Sequence, residues 1–385
     1  MTAAIARLLW GKLSRVRIPN AQREEFAMAM QISPVKAGLA VLAMAACLFI
    51  SSGRALGAAP ESASAPEPGY HLIKKLALGG EGGWDYLTID SAARRMYISR
   101  SSHVMVVDLD TEKVVGDIPN TAGVHGIAVA PEFNRGFTSN GRANTSTIFD
   151  LKTLKVIGEV KTGGNPDCIV YDPASKRVFT FNGRTDDATA FDAASGEVVG
   201  AIALGGRPEY AAADGRGKLY GNIESTSEVV EIDSAKLVVT RRFPLAPGEG
   251  PSGVAVDAAR GLVFSGCHNK IMTVLDVAAG KVIAGVPIGS GVDANAFDPG
   301  TGLAFSSNGD GTLTVARESA PGKFEAENVK TQQGARTMAL DLKTHNIYLV
   351  TAEFEAAPAA GAPPERSRGR PPMVKDSFTV LVVGK

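Results

Sequence analysis

The chain has 385 residues, 44% of them hydrophobic and 6% aromatic, with 43 glycines and equal numbers of basic and acidic residues, 40 of each. Seven of the basic but only two of the acidic residues fall within residues 1–57, leaving 33 against 38 in the remainder, a net of −5. That balance argues against electrostatic binding to a phosphate backbone. The length alone is enough for two or three domains, and only an internal repeat reduces the expectation to one.

In chain order, residues 1–57 read as a bacterial secretory signal. Ala37 to Ile50 is apolar, Lys36 precedes it, and Ala55-Leu56-Gly57-Ala58 offers small residues for cleavage near Gly57. The run is short for a membrane span. Cys47 follows Ala45-Ala46 as in a lipoprotein box, but Met44 stands where Leu is wanted and apolar residues continue past the Cys. Met28 or Met30 would begin a signal of ordinary length, so the true start is expected there. Residues 58–69 follow as a linker. The expected location is the periplasm or the extracellular space, with no transmembrane domain in the mature protein.

Between Asp90 and Asp341 one pattern recurs seven times. Short apolar stretches end at Asp90, Ala130, Asp172, Asp214, Asp257, Asp298 and Asp341, in steps of 40 to 43 residues. Seven residues after most of these markers stands a ring: Tyr97, Phe137, Phe179, Phe264, Phe305 and Tyr348, with Tyr220 one residue early. Four short β-like runs per period of about 40 residues predict an all-β fold, a seven-bladed β-propeller of four-stranded blades. Repeat three shows the pattern: 167–172, 177–182, 188–192 and 198–204 alternate β-branched and small residues, with Asp172-Pro173, Asn182-Gly183, Ser195-Gly196 and Gly205-Gly206 as turns. Leu72 to Leu78 reads like an outer strand, and the last repeat supplies only three, at 336–341, 346–351 and 378–383. The N-terminal strand is therefore expected to complete the last blade and remove the open sheet edges. Cys168 and Cys267 sit on β-like runs more than two repeats apart, and buried free thiols are expected rather than a disulfide.

Arg95-Met-Tyr-Ile-Ser, Arg177-Val-Phe-Thr-Phe-Asn and Lys218-Leu-Tyr-Gly-Asn resemble the core of the YVTN-repeat (YncE-like) propeller family. Thr189-Ala-Phe-Asp192 with Gly196-Glu-Val-Val-Gly200, Val274-Leu-Asp276 with Gly280-Lys-Val-Ile283, and Pro251-Ser-Gly-Val-Ala-Val-Asp257 are similar to its other strands. The resemblance covers roughly residues 70–385. It departs at Val315-Ala316, which lacks the Asp, and in the last repeat, which carries an insertion. It implies seven blades, export and no single chemistry; DNA binding occurs in the family.

That insertion, at about 355–375, is Pro-rich and basic. It reads as a tolerated surface loop or as an arm that contacts an acidic partner through Arg366, Arg368 and Arg370.

The period also serves as a ruler. Five positions before each marker stand Asp85, His125, Asp167, Glu209, Ser252, Asp293 and Arg336, which a propeller would gather at one mouth of its channel. Two residues on, Leu87, Ile127, Ile169, Ala211, Val254 and Met338 are apolar and only Asn295 is polar. These side chains either cap turns, with Arg336 pairing with Asp85 or Asp293, or form a site for a small polar ligand. As a metal site, Asp85, Asp167, Glu209 and Asp293 suit a divalent cation such as Ca²⁺ or Mg²⁺, and His125 admits a transition metal. Loops after the second strands, including Arg100 and His103, Asn140, Arg142 and Asn144, Asn182 and Arg184, Asn222 and Asn308, are expected around the same mouth. Trp84 is a stacking platform for a ligand or base, or a plug over the first blade.

The five His show no paired spacing, and no nucleophile elbow, P-loop or dinucleotide fingerprint is present. The expected function is that of an exported, monomeric, non-enzymatic scaffold that recognises a protein partner or small polar ligand at the channel mouth. A metal-assisted lactonase or lyase using the Asp/Glu/His ring and a single-stranded DNA-binding protein are the alternatives.

Overall fold

The computed structural model describes residues 69–355 and 372–385. These residues form seven four-stranded antiparallel sheets, each a blade. Blades one to six occupy residues 87–118, 124–161, 166–203, 208–244, 251–287 and 292–330 in turn. Each runs from an inner to an outer strand. Of the 28 strands numbered in chain order among the described residues, β26 (Met338–Asp341), β27 (Asn346–Thr351) and β28 (Thr379–Gly384) form the inner part of blade seven, and β1 (His71–Ala77) is its outer strand. The register runs from His71 opposite Gly384 to Ala77 opposite Thr379. The ring therefore closes as the strand count predicts.

Each marker Asp ends an inner strand because its carboxylate accepts from backbone N–H groups two to four residues on, which turns the chain. Asp172 accepts from Ala174 and Ser175, Asp214 from Arg216 and Lys218, Asp257 from Ala259 and Arg260, and Asp341 from Lys343. Ala130 has no such acceptor, and a short 3₁₀ turn at Pro131–Phe133 takes the corner instead. The ring side chains seven residues on are buried between blades: Tyr97 packs on Phe149, Phe137 on Phe191 and Phe305 on Tyr70, at centroid distances of 5.8, 5.6 and 5.1 Å. The apolar core is accordingly divided into seven clusters. The one at the seam joins Leu87, Met96 and Ile98 of blade one to Tyr348, Phe378 and Val380 of blade seven.

Cys168 and Cys267 are buried free thiols. No helix among the described residues is long and apolar enough to cross a membrane. The secretory-signal reading, almost all of the 58–69 linker, and Arg366, Arg368 and Arg370 lie outside the described residues.

Candidate functional site

The side chains five positions before each marker are aimed by a shared backbone device. In blades two to six the ladder between first and second strands slips around this position, between Val124 and Ile127, Pro166 and Ile169, Pro208 and Ala211, Pro251 and Val254, and Val292 and Ala294. In blades one and seven the inner strand begins only at Leu87 and Met338, two residues further on. A bulge re-aims a side chain that a regular pleat would direct into the blade interface. Serines from the second strands tie the irregular segments: Ser99 Oγ accepts from the Asp85 N–H at 2.9 Å, and Ser139 Oγ accepts from the Gly126 N–H at 2.8 Å and donates to the Asp167 carbonyl.

The ring divides into two linked groups and a lone acid. His125 Nδ1 donates to Asp85 Oδ2 at 2.5 Å and lies 3.5 Å from Asp167 Oδ1, which has no hydrogen-bond partner among the described residues. On the far side, Ser252 Oγ donates to Asp293 Oδ1 at 3.2 Å. Arg336 Nε sits 3.0 Å from Asp293 Oδ2, close enough for an ion pair but off the N–H direction, so that oxygen has no aligned hydrogen bond. Glu209, between the groups, has neither an ion pair nor a side-chain hydrogen bond among the described residues.

Crowding and burial set the protonation states. Burial works against the His125 cation, yet the Asp85 hydrogen bond and the Asp167 and Asp85 charges overcome it and raise its pKa to about 9. Burial raises Asp167 to about 6 against the pull of His125, and Asp293 to about 7 against that of Arg336. Glu209 is raised to about 8 by burial and by the neighbouring Asp167 charge. At neutral pH the His125 imidazole is thus charged, while Glu209 is mostly neutral.

Beside this ring lies a cavity of about 390 Å³ lined by Trp84, Asp85, His125, Arg142, Asn165 and Arg184 among others. Its size is within the ~300–1,000 Å³ range of small-molecule sites. Two glycines of blade two make room for it. A Cβ on Gly141 would come within 2.7 Å of His125 Nε2, and Gly123, at φ +68°, packs against the Arg142 backbone. Arg142 and Arg184 are exposed and make no side-chain hydrogen bond or ion pair among the described residues. Arg207, by contrast, pairs with Glu224 at 2.5 Å.

Not every predicted residue reaches the mouth. Asn295 is buried, its amide accepting from the Gly266 N–H at 3.1 Å and donating to the Ala294 carbonyl at 3.0 Å. Asn140, Asn182, Asn222 and Asn308 are fully buried: Asn140 bonds Thr145 and Thr147, Asn182 bonds Asp187 and Thr189, Asn308 bonds Thr312 and Thr314, and Asn222 bonds the Ser252 and Gly253 carbonyls. Trp84 lines the cavity but also packs on Phe378 and Phe354, at 5.3 and 6.0 Å. Its ring therefore lies against the cluster shared by blades seven and one.

Two residues of the channel were missed. Tyr86 and Tyr210, from blades one and four, meet edge to face at 5.0 Å. Burial and the charges of Asp167, Asp85, Asp293 and Glu209 push the Tyr86 phenol well above its ordinary range, which places it among the ring carboxylates. The signal was available: at this position the other repeats carry Gly126, Cys168, Gly253, Ala294 and Thr337, all small.

Fold and mouth together define a seven-bladed β-propeller with a polar axial ring and an adjoining cavity. No protein-family model and no curated protein matches the sequence. Among solved structures the chain is similar to one from Kuenenia stuttgartiensis hydrazine synthase, at 17% identity over 70% of this chain and 92% of that one, with a TM-score of 0.62. It is also similar to U3-55K, at 8% identity over 81% of this chain and 98% of that one, with a TM-score of 0.63. At such identities the likeness shows the fold alone.

Proposed function

We propose that this protein is an exported, non-enzymatic binding propeller that recognises a small polar ligand at its channel mouth. The observation that carries the reading is the cavity itself, in which polar side chains from blades one, two and three converge on a single volume beside the axial ring. A concave site of this size suits a small molecule better than a flat protein contact. Export rests on the secretory-signal reading of residues 1–57, and membership of the YVTN-repeat family on the strand motifs.

A second reading has one observation behind it. Single ligand atoms of Asp85, His125 and Asp167 lie within 4.8 Å of one another, a spacing that fits a cation. A divalent ion there would act as a Lewis acid toward a lactone or uronate carbonyl. Single-stranded DNA binding has less support, because the Trp84 ring is already engaged by two Phe rings.

Thermal-shift screening of the full chain against small polar compounds tests the first reading. At least one compound should raise Tm, and His125→Ala with Arg184→Gln should abolish the shift. Hits indifferent to both substitutions would sink it. Stoichiometric metal in the purified chain, lost in Asp167→Asn, would put the second reading in its place.

A further inference from the structure

We infer that the ligand of this cavity is a small organic anion, held through a carboxylate by Arg142 and Arg184 with His125 as a third donor. The inference rests on the small-ligand reading and adds the sign of the charge.

The argument is a comparison of the charged groups that face one volume. Arg142 and Arg184 come from the loops after the second strands of blades two and three, and both line the cavity. Neither has a partner among the described residues, whereas Arg207 and Arg336 of the same mouth are paired with Glu224 and Asp293. Among the described residues the one carboxylate lining the cavity, Asp85, is already engaged by His125 at 2.5 Å. Asp167 approaches the same ring nitrogen, 3.5 Å from Nδ1. His125 has its Nδ1 edge toward these acids, while Nε2 lies on the side of Gly141, in the loop that carries Arg142. The cavity thus offers two free guanidinium forks and one imidazole N–H against a single neutralised acid.

A guanidinium binds a planar carboxylate through two parallel hydrogen bonds, and two guanidinia from neighbouring blades suit a ligand with more than one oxyanion oxygen. Asn165 adds a neutral amide for a hydroxyl or carbonyl of the same molecule. A cationic ligand would meet the two arginines at the entrance without a free carboxylate in the cavity. That asymmetry separates this assignment from a metal site on Asp85, His125 and Asp167.

Trp84 supplies the measurement, since the only other Trp in the chain is Trp10. In the full chain carrying Trp10→Phe, the cavity-wall Trp84 becomes the sole indole. Its fluorescence is titrated at low ionic strength with succinate, succinamide, 1,4-diaminobutane and inorganic phosphate. The first three share a four-carbon skeleton and differ in charge. Succinate should give a saturable change and bind at least about tenfold more tightly than succinamide or the diamine. Its affinity should weaken as salt is added. Arg142→Gln with Arg184→Gln should remove that preference while leaving Tm unchanged, because both side chains are exposed. Phosphate binding better than succinate would overturn the carboxylate assignment in favour of a tetrahedral oxyanion. Diamine or succinamide binding as well as succinate, with the signal lost in His125→Ala, would overturn the anion and leave the small-ligand reading standing. No response to any of the four would overturn the anion assignment, and the thermal-shift screen then decides the small-ligand reading by itself.

Discussion

Glu209 has the poorest surroundings of any ring residue, with acids near it and no hydrogen bond to its carboxyl among the described residues. Its pKa is raised from 4.5 to about 8 by burial and the Asp167 charge. The unfolded chain releases this proton near 4.5, whereas the folded chain keeps it to about 8. Folding therefore binds a proton in that window, and stability falls as pH rises through it. His125 adds a loss of the same sign between 6.5 and about 9, since its stabilising charge is fully present below 6.5 and gone above its folded pKa. Wild-type Tm should thus decline from pH 5 to pH 9. Glu209→Gln should flatten the lower part of the decline and raise Tm at pH 8 by roughly 2–4 °C. Melting curves of both proteins across this range decide it; parallel declines would show that Glu209 ionises freely. At this scale the sequence was informative about membership and, for Arg336 alone, about a partner, since Asp293 was one of the two acids named for it. A period of about 40 residues aligned Asp85, His125, Asp167, Glu209, Ser252, Asp293 and Arg336, and the structure sets His125 beside Asp85 and Asp167, and Asp293 beside Ser252 and Arg336. Which of them pair depends on bulges that the residue pattern does not encode.

Among the elements, the segment 79–83 that leads from β1 into blade one depends on Arg100. This arginine is fully buried, stacks 3.8 Å above the Phe378 ring and donates to the carbonyls of Gly79, Gly80, Glu81 and Gly82 at 2.8–3.2 Å. Among the described residues no carboxylate takes part, and burial lowers its pKa to about 10. Four carbonyl dipoles replace the counter-ion. Arg100→Met leaves those carbonyls without donors and should destabilise the domain by about 3 kcal/mol. Arg100→Lys should recover only part of this, because an ammonium cannot span four acceptors in one plane. Chemical denaturation of the three proteins measures both; full recovery by Lys would show that charge alone matters. From the sequence, Arg100 looked like one polar loop residue among many, beside Asn140, Asn182, Asn222 and Asn308. All five are buried. Their types suited a solvated turn equally well, and only the location of each acceptor distinguishes the two cases.

For the whole molecule, the seven sheets and their closure were legible because turn chemistry and a fixed period recur in every blade. The closing strand was found by counting, since the last repeat holds three strands where the others hold four. Each apolar cluster joins neighbouring blades, and the first strand reaches two of them, with Tyr70 and Leu72 in one and Leu76 in the other, so losing it exposes two clusters at once. Deleting residues 70–79 removes β1, Tyr70 and one of the four carbonyls that accept from Arg100. It should abolish the cooperative melt rather than merely lower its midpoint. A deletion variant that melts as wild type does would refute closure by β1.

The same pairing has a mechanical consequence. His71 lies opposite Gly384 on antiparallel strands, so chain entering at one and leaving at the other is held at a single end of the ladder. Tension applied across residues 70 and 385 would load the hydrogen bonds one pair at a time, as in opening a zipper. Shear, which loads a whole ladder together, would never arise in this geometry. A ring that resists heat as one body would therefore yield to modest pulling at its seam, losing first the strand that makes it a ring.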